Sequence, residues 1–260
     1  MGKILGVVSL KGGVGKTSVV SALGAAMAGF DKKVLLIDGN LSAPNLGLHL
    51  KILDPEKTLH DVLARRAHTR DAIHDFGGFH VLPASMYDNS RVSPLKLKDR
   101  ISNLKRSYDM ILIDSSPALN EETLGVMLAS DSLIVVTTPD YPTLSTTLKA
   151  ISLARQRGAK IDGLIINKSH DKKFEMNFSD IEAMAEVPIL AVIPHDVDVL
   201  KSLSEFKPST VYKPRSKASE EYLKLAATLI GEKYKKKKFS FKKPSRQEVN
   251  RTIFYESLFG

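Results

Sequence analysis

The stretch Gly6-Val-Val-Ser-Leu-Lys11-Gly-Gly-Val-Gly-Lys16-Thr17 constrains what this chain can fold into more than any other. The apolar run Ile4 to Val8 enters it as a buried parallel strand does. The run after Thr17, from Ser18 to Ala28, repeats apolar residues at helical spacing. Strand, glycine loop and helix thus follow in the order that gives such a loop its meaning. Gly12, Gly13 and Gly15 let the backbone turn its amides inward without steric cost. Those amides and the positive end of the following helix make an anion cradle. The loop is expected to hold nucleotide phosphates through Lys11, Gly12, Gly13, Val14, Gly15, Lys16, Thr17 and Ser18. Lys16 would reach the β- and γ-phosphates, and the Thr17 hydroxyl would ligate Mg²⁺.

Apolar strand-like runs alternate with helical patterns over the rest of the chain. Strands are expected at Ile4–Ser9, Lys33–Ile37, His80–Leu82, Met110–Ile113, Ser132–Thr137, Asp162–Ile166 and Ile189–Ile193. Helices are expected at Thr17–Ala28, Thr123–Ala129, Thr143–Arg157 and Ala218–Ile230, among others. This alternation predicts an α/β fold, a doubly wound and mostly parallel sheet flanked by helices. In such a sheet, acidic residues at strand carboxyl ends face the ligand crevice. Val34-Leu-Leu-Ile-Asp38 and Met110-Ile-Leu-Ile-Asp114 each deliver one.

The ordinary loop pattern G-x-x-x-x-G-K-[ST] asks for glycine where this chain has Leu10, and Lys11-Gly12-Gly13 stands in its place. KGGVGKT resembles the deviant Walker A loop of the ParA/MinD family of P-loop ATPases, and the MinD branch in particular, over residues 2–232. The resemblance implies the P-loop NTPase fold, ATP and Mg²⁺ as cofactors, and a monomer with ADP that dimerises around two ATP molecules. Lys11 would reach across that dimer to the partner's nucleotide. Asp114 looks like the Walker B aspartate. Mg²⁺ would be held by Thr17, Asp38 and Asp114, the aspartates through water. Asp38-Gly39-Asn40 with Pro44-Asn45-Leu46 resembles a first switch, and Asp114-Ser-Ser-Pro117 a second. Asn167, Lys168, Pro194 and Asp196 match places where the family holds adenine.

One position departs from the family. A second switch aspartate usually orients the attacking water, and here that position is Asn40. An amide is nearly isosteric but cannot take a proton as a base. The catalytic set is therefore read as Lys11, Lys16, Asp38 and Asn40, with slow hydrolysis. The alternatives are a partner protein that completes the site, or an ATP-binding scaffold that does not hydrolyse.

Charge divides the chain at Lys233. Residues 233–260 hold nine Lys/Arg against two Asp/Glu, while residues 1–232 hold 29 against 27. The reading is an ATPase domain over 1–232, followed by a flexible basic linker and a short amphipathic segment over 233–260. Ser245 and Glu248 fit a capping box, with Val249, Ile253, Phe254 and Leu258 near one face. A lysine run plus such a helix suits an anionic membrane surface. Lysines interleaved with Tyr234, Phe239 and Phe241 would also suit nucleic acid, as in a ParA-like partitioning ATPase. An activating or cargo protein is the third possible partner.

Absence of cysteine excludes disulfides, thiolate zinc sites and cysteine-held iron–sulfur clusters. No apolar run approaches the roughly 18 residues of a membrane span, and no secretory signal precedes the loop. The expected location is cytoplasmic and peripheral to the membrane. The histidines show no metal-site spacing. His60 reads as a surface residue, and His195 as a structural neighbour of the nucleotide region.

Overall fold

The computed structural model describes residues 1–88, 90–234 and 244–260. Its centre is an eight-stranded sheet in the order β3-β4-β2-β5-β1-β6-β7-β8. The strands are β1 Lys3–Val8, β2 Val34–Asp38, β3 His74–Asp75, β4 His80–Leu82, β5 Met110–Asp114, β6 Ser132–Thr137, β7 Ile161–Ser169 and β8 Ile189–Pro194. All neighbours run parallel except the β3–β4 pair. This is the doubly wound sheet that the sequence predicts.

Side chains alternate across each strand and feed two cores. Ile4, Leu35, Ile37, Ile111 and Ile113 point to one face. Leu5, Val7, Val34, Leu36 and Leu112 point to the other. Burial on both faces explains why the strands read as unbroken apolar runs. The first core is roofed by α3 Leu59–Leu63, α4 Leu97–Ile101, α5 Glu121–Ala129, α6 Tyr141–Gln156 and α7 Phe178–Ala185. On the second face lie α1 Lys16–Ala28, α2 Leu46–His49 and α10 Lys217–Leu229. The short helices α8 Val197–Ser204 and α9 Ser209–Tyr212 lead from β8 back to α10.

Three expectations need correction or extension. His60 is buried, not a surface residue: its ring nitrogen Nδ1 accepts from the Ser85 amide at 3.1 Å, and burial pushes its pKa down. The strand β3 and the helices α7 and α8 extend the set of elements named above, and β3 is only two residues long. In α8 only Ser202 is buried, so Val197 and Leu200 stay outside.

The third concerns the chain end. The expected linker falls largely on residues 235–243, which lie outside the described residues. The helix beyond it, α11 Arg246–Phe259, starts at the Ser245–Glu248 capping box and packs against the edge strand β8 and α10. Its apolar residues do not share one face. Phe254 enters the second core, while Val249, Ile253, Leu258 and Phe259 are exposed. Arg251, 6% exposed, donates to the Leu190 carbonyl at 2.9 Å and pairs with Glu221 at 3.0 Å. Asn250 donates to the Ile189 carbonyl at 2.9 Å and to Glu182 at 2.6 Å. These side chains satisfy carbonyls of an edge strand, which would otherwise be open to pairing.

Candidate functional site

The glycine loop connects β1 to α1, so its backbone lies at the carboxyl edge of the sheet. Gly13 and Gly15 have φ of 77° and 91°, a region that glycine alone enters without cost. A Cβ on Gly12 or Gly13 would meet nothing within 4 Å, which leaves an open cradle. A Cβ on Gly15 would stand 2.5 Å from the Asn167 amide nitrogen. Lys16 is buried in this loop, and burial pushes its pKa down while Asp114 opposes that shift. A buried ammonium facing an open cradle suits a phosphate group.

Asp38 and Asp114 stand opposite each other in the β2–β5 register. Both are buried, and burial pushes the proton affinity of each above the usual carboxylate range. For Asp38 the neighbouring Asp114 charge adds to this. Three backbone amides partly compensate: Asn40 donates to Oδ1 at 3.2 Å, and Asn45 and Leu46 donate to Oδ2 at 3.0 and 2.9 Å. The Thr17 hydroxyl donates to Asp114 Oδ2 at 2.5 Å. Asp114 Oδ1 is buried without a partner. Two adjacent buried carboxylates, an orphaned carboxylate oxygen and a hydroxyl form a hard oxygen set that fits Mg²⁺. Among the described residues no cluster of three or more His, Cys, Asp or Glu forms elsewhere to compete as a metal site.

Asn40 is buried beside this pair. Its amide nitrogen donates to the Ala43 carbonyl, and its Oδ1 has no partner. That unpartnered oxygen is an acceptor the side chain can present to the site. Asn45 is exposed, and Pro117 is half-buried between Ser116 and the start of α5.

The remaining expected residues are brought to the loop by other contacts. The Asn167 side chain donates to the Val14 carbonyl at 2.7 Å, so one of its two N–H donors is engaged by the loop, and its second N–H and Oδ1 remain for a ligand. Lys168, with φ of 58°, donates to the Gly13 carbonyl at 2.7 Å. Both carboxylate oxygens of Asp196 accept from backbone amides, Asp198 at 2.9 Å and Ala218 at 3.4 Å. Asp196 thus caps α8, and Pro194 ends β8 next to it.

Lys11 does not point into open solvent. Its ammonium donates to the Thr143 hydroxyl at 2.6 Å and lies 3.4 Å from Asp140, the residue that caps α6. Sequence reasoning missed Asp140, although the rule that found Asp38 and Asp114 also finds it: it follows the carboxyl end of β6.

Comparisons with known proteins agree with this geometry. The profile of a family described as an AAA domain matches residues 2–161, and that of the NUBPL iron-transfer P-loop NTPase matches residues 101–230. With no cysteine in the chain, the second match carries no thiolate cluster with it. An uncharacterized ATP-binding protein of Methanocaldococcus jannaschii is 35% identical over 244 residues, covering 91% of this chain and 92% of that one. The Pyrococcus furiosus cell division ATPase MinD superposes with a TM-score of 0.82 at 37% identity, over 87% of this chain and 97% of that one. The Pyrococcus horikoshii septum site-determining protein MinD, complexed with Mg-ADP, gives 0.83 at 36% identity, over 88% and 96%. Glycine loop, paired strand-end aspartates, sheet order and these matches lead to one conclusion: the chain belongs to the ParA/MinD family of P-loop ATPases.

Proposed function

We propose that this protein is a MinD-like ATPase that binds Mg-ATP, dimerises as a nucleotide sandwich and acts as a positioning switch at an anionic membrane surface. The buried Asp38–Asp114 pair beside Lys16 and Thr17 carries the reading. Such a pair is unfavourable without a cation, and its oxygens suit the one ion that accompanies nucleotide phosphates in this fold. Thr17, Asp38 and Asp114 would hold Mg²⁺, which would supply positive charge beside the phosphates. The loop amides and Lys16 hold the phosphates, and Thr17 and Asp114 fix each other's orientation. Asp38 organises the first switch by accepting the amides of Asn40, Asn45 and Leu46.

Asn40 Oδ1 can orient a water by accepting its hydrogen bond, yet it cannot carry the proton away. This supports slow turnover. Lys11 would leave Asp140 and Thr143 for the partner's nucleotide when two copies close. Membrane contact is supported by the basic sequence of 233–246 and by the outward Val249, Ile253, Leu258 and Phe259. Among the described residues no helix is long and apolar enough to cross a membrane.

The test is sedimentation with anionic vesicles, and separately with duplex DNA, each with ATP and with ADP, alongside steady-state hydrolysis. Pelleting with vesicles in ATP alone, with vesicle-raised turnover, is expected. Pelleting with DNA alone would move the reading to a ParA-like partitioning protein. Absence of turnover under every condition would leave a static ATP-binding scaffold.

A further inference from the structure

The helix α5 begins where the second switch ends, and its first turn holds that switch in place. Asn120 caps the helix by accepting from the Thr123 amide at 3.1 Å, and its own amide nitrogen donates to the Ser116 hydroxyl at 3.3 Å. The Thr123 hydroxyl lies 3.0 Å from the Ser116 carbonyl and 2.7 Å from that of Ala118. Glu122, in the same turn, reaches the first switch instead. Its Oε1 accepts from the Ser42 amide at 2.9 Å. One helical turn thus carries contacts to both loops.

The first switch also leans on this helix at its base. The Gly39 amide donates to the Asp114 carbonyl at 2.8 Å, and a Cβ on Gly39 would stand 2.7 Å from that oxygen and 2.8 Å from Val126 of α5. Beyond Gly39 the loop has few holds. Leu41 packs into the first core, while Ser42 and Ala43 are exposed. Among the described residues, the bond to Glu122 is the only hydrogen bond from residues 41–44 to an element outside the loop. That tip matters because Ala43 supplies the carbonyl that engages the Asn40 side-chain nitrogen. The direction of the unpartnered Asn40 Oδ1 is fixed only while this carbonyl stays in place. Glu122 itself is no freely solvated surface group: its Oε2 is buried without a hydrogen-bond partner. Such an arrangement costs free energy, so the position calls for a compensating role.

We infer that Glu122 is a positioning residue for ATP hydrolysis. By fixing Ser42 it holds the Ala43 carbonyl, and through that carbonyl the Asn40 oxygen that orients water, in a set relation to the second switch. This rests on the hydrolytic reading above and adds to it a residue that acts at one remove, through Asn40.

The experiment measures kcat and KM for Mg-ATP, and the Kd of Mg-ADP by titration calorimetry, on the full chain. The variants are Glu122→Ala, Glu122→Gln, Asn40→Ala and the double variant of Glu122→Ala with Asn40→Ala. Glu122→Ala should lower kcat about tenfold, within what a displaced catalytic group costs, and leave KM and the Mg-ADP Kd within about twofold. Glutamine keeps an acceptor oxygen for the Ser42 amide, so Glu122→Gln should restore most of the rate. In the Asn40→Ala background the loss from Glu122→Ala should disappear, because two residues that act as one unit are not additive. An unchanged kcat in Glu122→Ala overturns the inference. So does a matching loss of Mg-ADP affinity, which would mean a damaged site, and so does a Gln variant no better than Ala. A full-sized further loss in the double variant overturns it as well, because Glu122 would then act by another route. If the unaltered protein binds Mg-ADP but hydrolyses no ATP, the hydrolytic reading itself fails and the positioning role with it.

Discussion

Replacing Asp114 by Asn should stabilise the nucleotide-free protein while removing its response to Mg-nucleotide. Asp38 and Asp114 are buried side by side, and the proton affinity of both is raised in the folded state. The folded chain therefore binds protons more tightly than the unfolded chain. Stability from these groups is present at low pH and declines as pH rises from the unfolded carboxylate value through the raised folded values. Each unit of such a rise costs about 1.4 kcal/mol above the folded pKa. An amide at 114 removes one charge and relieves Asp38 of its neighbour, while its oxygen can still accept from Thr17. Lys16 loses some support in return, because Asp114 favours its charged form. Taking one to two units of net relief gives about 1.5–3 kcal/mol. With an unfolding entropy of roughly 2 cal/mol/K per residue over 260 residues, that is a rise in Tm of about 3–6 °C. Thermal unfolding in a chelator at pH 8 and at pH 5.5 measures it. The gap between variant and parent should be largest at pH 8 and shrink at pH 5.5, where the pair in the parent takes up protons. Added Mg-ADP should raise Tm in the parent alone. A variant no more stable than the parent at pH 8, or a gap independent of pH, would refute the reasoning.

Three further outcomes follow from the same contacts. Asn40→Asp should raise steady-state ATP turnover by at least about tenfold, a cautious share of the roughly hundredfold or more that a positioned base contributes; an unchanged rate would remove the proposed limit that Asn40 sets on turnover. Arg251→Ala takes a buried guanidinium from Glu221, which keeps Lys224 at 2.7 Å, and uncovers the Leu190 carbonyl, so denaturant unfolding should show a loss of about 1–3 kcal/mol; a loss below about 0.5 kcal/mol would mean that α11 does not stay docked in solution. Lys11→Ala should retain Mg-ADP binding but lose the ATP-dependent dimer by light scattering, and a dimer of unchanged stability would rule out its role across the interface.

Much of the fold is legible in the chain because its strands are buried on both faces and therefore read as apolar runs. The glycine loop is legible for a different reason: its chemistry is written in contiguous residues, and the two aspartates are marked by the strands that end on them. Pairing between distant residues left no such mark. Nothing in the sequence around Arg251 signals Glu221 or the Leu190 carbonyl, which only the fold brings beside it. Lys11 and Asp140 are 129 residues apart and meet only because β1 and β6 are neighbours in the sheet. His60 looked like a surface residue because α3 is short and polar in part, and the Ser85 amide that it satisfies comes from beyond β4.

The resting position of Lys11 also bears on how readily two copies would assemble. Its pair with Asp140 is exposed on both sides, 40% and 46% for the side chains, and such pairs contribute about 0.2–1 kcal/mol. The contact is a shallow well rather than a lock. A two-fold symmetric sandwich would empty two such wells at once, so the monomer's preference enters the dimerisation constant squared. About 0.5–1 kcal/mol per copy then becomes roughly a five- to thirtyfold weaker apparent self-association. Cellular concentration, rather than a second ligand, could then decide when the switch closes, and substitutions at Asp140 or Thr143 would move that threshold without touching the nucleotide.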